Sequence, residues 1–213
     1  MKPLAQCRLY TFIDTAYLRG RDPADIARQL CRGGSDLIQL RAKNSTPAEI
    51  RRLTAAIVPI LREAGAGLVI NDHYDIAREF GADLCHLGQE DFFDAGYTRV
   101  AELAADPSAP GIGLSTHGPE QALRAVTAGP AYIAIGPVYE TGTKPGAKPV
   151  TLDYVRWAAT HITIPWFAIG GINPGNLDQV AAAGANRICA VAAILNAPDI
   201  AEACREFKRR LPG

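Results

Sequence analysis

The sequence predicts an α/β fold, a (β/α)8 barrel, and three observations point there. Eight short apolar runs alternate with longer amphipathic stretches along the whole chain, the pattern of a parallel sheet covered by helices. Polar and glycine residues gather just after the C-terminal ends of many of these runs, where a barrel builds its active site. No G-x-G-x-x-G follows the first run, which removes the usual support for an open dinucleotide-binding sheet. With 213 residues, the chain is shorter than the about 250 usual for this barrel. We therefore expect one domain spanning 1–213.

The first strand is expected over residues 9–13, followed by a helix over 23–32. Strand 37–40 leads through Ser45-Thr46-Pro47, hydroxyl caps and a first-turn proline, into a helix over 47–63. Strand 68–70 precedes a helix over 74–80, and strand 84–87 precedes one over 97–105. Strand 111–114 pairs with helix 119–127, and strand 132–135 with helix 152–160. Strand 166–169 runs into Ile172-Asn173-Pro174, an asparagine cap before a helix over 174–183. Strand 187–191 and helix 200–210 complete the eighth unit. Gly33, Gly65 and Gly184 stand where helices should stop, since glycine tolerates a left-handed C-cap.

Composition narrows the classes of function. Basic and acidic residues balance at 22 each, so no global attraction to nucleic acid or anionic membrane is expected. Any anion recognition must be local. The five cysteines are scattered with no CxxC pair, which reads as free thiols in a reducing compartment. The first six residues lack the apolar core of a signal peptide, and the longest strongly apolar run, 188–195, is too short to span a bilayer. These features predict a cytoplasmic protein.

Several strand ends carry chemistry. Gln39-Leu40-Arg41-Ala42-Lys43 alternates, sending Gln39, Arg41 and Lys43 to one side, toward the barrel mouth. A guanidinium and an ammonium there suit phosphate oxygens, or else form a basic strand end in solvent. Asn71-Asp72 and His86-Leu87-Gly88-Gln89-Glu90-Asp91 follow on the next two strands. Strands lie about 4.8 Å apart, so Asp72 and Asp91 are placed either to bracket a small cation or to cap the following helices. Beside the basic strand, a metal–pyrophosphate site is the better reading, because magnesium favours one or two carboxylates plus water and phosphate. His86 reads as a core or structural histidine.

Ser115 stands on the rim, positioned to bond a ring substituent or to cap a helix. No Ser/His/Asp arrangement supports covalent catalysis. The loop Gly136-Pro137-Val138-Tyr139-Glu140-Thr141-Gly142-Thr143-Lys144-Pro145-Gly146 combines two hydroxyls and a lysine, suited to closing over phosphates or simply to a surface turn. Ala168-Ile169-Gly170-Gly171 and residues 190–194 are small, which lets backbone N–H groups approach a phosphate. Tight packing is the competing explanation, and their place after strands seven and eight favours phosphate.

These segments, in this order, resemble the thiamine-phosphate synthase family over nearly the whole chain. The matching pieces are the Gln39–Lys43 run, Ile70-Asn71-Asp72, the His86–Asp91 run, Gly113-Leu114-Ser115, Gly136-Pro137-Val138-Tyr139, Thr141-Gly142-Thr143-Lys144 and Ile169-Gly170-Gly171-Ile172. The resemblance implies a TIM barrel that joins hydroxymethylpyrimidine diphosphate to thiazole phosphate, releasing pyrophosphate by a dissociative route. It implies that Arg41, Lys43, Asn71 and Lys144 hold the pyrophosphate, with Lys144, Arg41 and Ser115 as the catalytic set. Asp72 and Asp91 would ligate magnesium, and Gln39 and Ser115 would orient the aminopyrimidine. Thr141, Thr143 and Gly171, with backbone around Val191 and Ala192, would hold the thiazole phosphate. The implied partners are these small molecules, with no nucleic acid or membrane and a possible homo-oligomer.

Three positions depart from the family pattern. Glu140 replaces a usual proline, Ala192 a usual serine, and Arg187 a usual small residue. Tyr139-Glu140-Thr141 is closer to the related thiazole tautomerase, an isomerase that needs no magnesium–pyrophosphate site. A non-catalytic thiazole phosphate binder is the third reading. Retention of Gln39, Arg41, Lys43, Asp72 and Asp91 favours the synthase.

Overall fold

A computed structural model describes residues 1–106, 108–142, 146 and 148–212. Eight parallel strands close into a barrel in sequence order. They are β1 (Leu9–Asp14), β2 (Leu37–Arg41), β3 (Gly67–Asn71), β4 (Leu84–Gly88), β5 (Gly111–Thr116), β6 (Tyr132–Ile135), β7 (Trp166–Ala168) and β8 (Ile188–Cys189). The helices are α1 (Thr15–Leu18), α2 (Pro23–Arg32), α3 (Pro47–Ala64), α4 (Tyr74–Glu79), α5 (Gln89–Asp94), α6 (Pro119–Thr127), α7 (Thr151–His161), α8 (Leu177–Ala182), α9 (Ala192–Leu195) and α10 (Ile200–Arg210). No described helix is long and apolar enough to cross a membrane.

Local chemistry sets many of these boundaries. Thr46 and Glu49 exchange hydrogen bonds in a capping box ahead of α3, with Pro47 in its first turn, and Gly65 ends it at φ 68°. Asp22 caps α2 more simply, its side chain accepting from the Ala24 N–H. Gly33 is a different case: its φ is −77°, and Gly34 takes the left-handed turn at φ 80°. A Cβ on Gly33 would fall onto Cys204 and within 2.7 Å of the Ala201 carbonyl, so this glycine serves the close approach of α10.

Three predicted elements moved. The helix expected over 97–105 is replaced by α5, which starts directly at the end of β4, and by one 3-10 turn over Val100–Glu102. Phe92 supplies the buried anchor of α5, stacking on Tyr97 at 5.4 Å, and Gly96 ends the segment at φ 90°. The helix expected from 174 begins at Leu177, because Asn173 Oδ1 accepts from the Gly175 N–H and Asn176 Oδ1 from the Asn173 N–H, winding a turn first. The eighth strand is only two residues long, and the chain turns after it into α9. The added helix α1 is capped by Asp14, whose Oδ1 accepts from the Ala16 N–H at 3.0 Å.

The end of the barrel at which the strands begin is tied by Asp36, which directly precedes β2. This buried carboxylate accepts the N–H groups of Arg8 (2.8 Å) and Leu9 (2.9 Å) and pairs with Lys2 (2.6 Å) and Lys208 (2.7 Å). Burial alone would raise its pKa, but the Leu9 N–H, the two ammonium groups and the Arg8 N–H outweigh that and lower it. A lowered folded-state pKa gives stability that is complete above the unfolded value of about 4 and is lost as pH falls through the folded value. Asp36→Asn should cost about 2–3 kcal/mol at neutral pH, the scale of a hydrogen bond to a charged group. Melting curves at neutral pH and near pH 3 should show the difference from wild type shrinking in acid.

Candidate active site

The C-terminal ends of the strands surround a cavity of about 600 Å³. Tyr10, Phe12, Ala134, Ile169 and Cys189 give it an apolar wall. Tyr10 stacks on Phe12 at 5.2 Å and meets Phe167 edge-on at 5.4 Å, filling the barrel interior below. A Cβ on Gly113 would collide with the ring of Tyr132, so the glycine of β5 makes room for a tyrosine of β6 to lie across the interior.

One side of the mouth is charged. Gln39, Arg41 and Lys43 all line the cavity, as the alternation along β2 predicts. Arg41 Nη1 bonds Asp14 Oδ2 at 2.8 Å, and Asp14 stands opposite Arg41 in the β1–β2 register. Lys43 Nζ reaches Asp72 Oδ2 at 2.7 Å. Asp72 has φ 65°, a left-handed conformation that aspartate adopts more readily than most residues, and its N–H bonds the His86 carbonyl at 2.9 Å.

Asp72 and Asp91 both line the cavity, and neither caps a helix: the N-cap positions of α4 and α5 are His73 and Gly88, without side-chain cap bonds. A Cβ on Gly88 would stand 2.6 Å from Asp91 Oδ2. The missing side chain therefore gives the Asp91 carboxylate its place against the end of β4. Two carboxylates beside two cationic side chains suit a hard divalent ion that takes its remaining ligands from water and phosphate oxygens.

Ser115 lies opposite Gly88 in the β4–β5 register and caps no helix. The side chains of Ser115 and Asn71 both line the cavity and bond to nothing among the described residues. His86 also lines the cavity, with Nδ1 2.8 Å from Tyr132 Oη, so it is part of the cavity wall and not only a core residue.

The opposite side is built from backbone. Gly170 (φ 103°) and Gly171 (φ 64°) pack against the loop after β6, where added Cβ atoms would collide with Pro137 and approach the Glu140 carbonyl to 2.6 Å. Thr141, Gly171, Val191 and Ala192 line this side, next to the start of α9, whose first N–H groups have no intrahelical acceptor. Arg21 fixes α9 by donating to the carbonyls of Leu195 (2.8 Å) and Tyr17 (2.7 Å). Thr143 and Lys144 lie outside the described residues.

Sequence reasoning missed Asp14, Gly88 and the tyrosine pair Tyr10–Tyr132. For Asp14 a signal existed, since it ends the strand that neighbours Arg41. Nothing in the spacing brings Tyr10 to Tyr132.

A family model described as thiamine monophosphate synthase matches residues 9–194. The chain belongs to the thiamine monophosphate synthase family. A Thermus thermophilus relative named thiamine-phosphate synthase is 46% identical over 85% of this chain and 85% of its own length. A second, from Acidothermus cellulolyticus and named likewise, is 44% identical over 98% of this chain and 96% of its own. Among solved structures, a thiamine phosphate pyrophosphorylase from Pyrococcus furiosus superposes with a TM-score of 0.83 at 28% identity, covering 96% of this chain and 95% of that one. The synthase family thus matches this chain in fold and in sequence.

Proposed function

We propose that this chain, acting as one barrel domain, condenses hydroxymethylpyrimidine diphosphate with thiazole phosphate to give thiamine phosphate and pyrophosphate. The observation that carries this reading is the division of one cavity into two unlike sides: the charged Arg41, Lys43, Asp72 and Asp91 on one, and the backbone of Gly170, Gly171 and α9 on the other. Two phosphorylated substrates then meet over the apolar wall between them. The names borne by the relatives support the same reaction.

Arg41, Lys43, Asn71 and Lys144 would bind the diphosphate. Asp72 and Asp91 would hold magnesium, which neutralises charge on the leaving pyrophosphate when bound. The C–O bond to the diphosphate breaks first, and the pyrimidine-methyl cation is delocalised by the ring amino group, which Gln39 and Ser115 orient. The thiazole nitrogen then attacks with its own lone pair, so no general base is required. Enzymatic help is mainly electrostatic, since negative charge grows on the leaving group that Arg41 and Lys43 face. Thr141, Thr143, Gly171 and the backbone of Val191 and Ala192 would hold the thiazole phosphate; at Ala192 the N–H remains where a hydroxyl is missing. A cytoplasmic setting fits the five free cysteines.

The test is pyrophosphate release from the two substrates, with magnesium and then with EDTA. We expect magnesium-dependent release coupled to thiamine phosphate formation, abolished by the chelator. Folded protein that binds thiazole phosphate yet forms no product would overturn the synthase reading, and thiazole tautomerisation would then be assayed.

A further inference from the structure

Below the rim, four polar side chains form a line across the barrel. Gln39 Nε2 donates to Tyr10 Oη at 2.5 Å, Tyr10 Oη lies 3.0 Å from Tyr132 Oη, and Tyr132 Oη lies 2.8 Å from His86 Nδ1. Both tyrosines are buried, and burial pushes each phenol well above its ordinary range, so both keep their protons.

Each phenol has one proton to give. Tyr10 receives the amide proton of Gln39, so its own proton goes to Tyr132, and that of Tyr132 goes to His86 Nδ1. With the Gln39 amide nitrogen on Tyr10, the opposite direction would leave the Tyr10 proton buried without an acceptor. His86 therefore carries its proton on Nε2. At the other end, the Gln39 carbonyl oxygen has no partner among the described residues, although the residue is only 2% exposed and lines the cavity.

We infer that Tyr10 and Tyr132 set the specificity of the pyrimidine pocket, because the Gln39–Tyr10–Tyr132–His86 line holds the Gln39 carbonyl toward the cavity and so selects a heterocycle offering an N–H donor over one offering a carbonyl. Turning the amide over requires reversing every proton along the line, including the His86 tautomer. An oxo-pyrimidine, whose N–H sits on the ring nitrogen, would set its exocyclic carbonyl against that of Gln39 where the amino group would donate. Tyr10 and Tyr132 act through Gln39 and are positioning residues. The inference rests on the reading of Gln39 as the group that orients the aminopyrimidine.

The experiment compares two pyrimidine-methyl diphosphates, one with the ring amino group and one with a ring carbonyl in its place. Binding is measured by calorimetry with magnesium and without the thiazole partner. Wild type should favour the amino compound by about 10²-fold or more, since a site built to accept from an exocyclic N–H rejects an analogue that presents an acceptor there. Tyr10→Phe and Tyr132→Phe keep the rings and should bring the ratio to within about 10-fold, with thiazole phosphate affinity unchanged. NMR of the His86 ring should show Nε2 protonated in wild type and mixed tautomers in both variants. Tyr154→Phe removes a buried phenol outside the line, bonded to Thr116 Oγ1 at 2.7 Å, and should keep the wild-type ratio.

Gln39→Ala separates the failures. If it retains the full ratio, Gln39 does not read the ring and both readings fall. If it abolishes the ratio while Tyr10→Phe and Tyr132→Phe preserve it, the tyrosine line alone is overturned. A wild-type His86 protonated on Nδ1 would overturn it as well.

Discussion

Arg41→Ala should lower kcat/KM by about 10²–10³, the loss seen when one positioned electrostatic group is removed from a charge-developing transition state. It should also destabilise the fold, because Asp14 is 1% exposed in its side chain and would lose its cationic partner. Breaking one half of a buried pair costs roughly 3–5 kcal/mol, and the partial exposure of Arg41 puts this case at about 3. The two losses have different causes and can be separated. Asp14→Asn combined with Arg41→Ala removes the stranded charge, so the double variant should regain most of the melting temperature and none of the turnover. Pyrophosphate release and thermal melts on the three variants check this. Turnover in Arg41→Ala within a few-fold of wild type would remove Arg41 from the leaving-group site.

Gly170→Ala should be strongly damaging, because a left-handed backbone and a backbone collision coincide there. At φ 103° the backbone is outside the range an L side chain adopts readily, which costs about 1–3 kcal/mol. The new Cβ would also land on Pro137 and within 2.9 Å of the Val138 nitrogen, in a place where backbone faces backbone and no side chain can swing away. Forced overpacking adds about 1–3 kcal/mol. A loss of about 2–6 kcal/mol is a large share of the about 5–15 kcal/mol that holds an ordinary domain. Relief by moving the loop after β6 would carry Thr141 away from Gly171, so affinity for thiazole phosphate should fall while affinity for the pyrimidine diphosphate changes little. Calorimetry with each substrate separately, beside urea unfolding, measures both. A variant as stable as wild type would show that the two loops are not packed as described.

The strands were legible because each is a short apolar run between polar segments, and all eight fall where those runs lie. The helix after β4 was not. Gln89-Glu90-Asp91 looks like a rim loop until Phe92 is seen anchoring it against Tyr97, a contact that no local pattern specifies. At the site, Gln39, Arg41 and Lys43 could be read from alternation alone, whereas Asp14 becomes meaningful only through the β1–β2 register. Tyr10 and Tyr132 stand 122 residues apart, and only barrel closure brings their hydroxyls together.

The Lys43–Asp72 pair joins one proposed phosphate ligand to one proposed cation ligand. On that reading, a phosphate arriving alone must evict a carboxylate from the lysine, and a cation arriving alone must evict an ammonium from the aspartate. A diphosphate that brings its cation along satisfies both partners in one exchange, with no charge left stranded. The rim then works as a coincidence detector, turning away either half and admitting the two together.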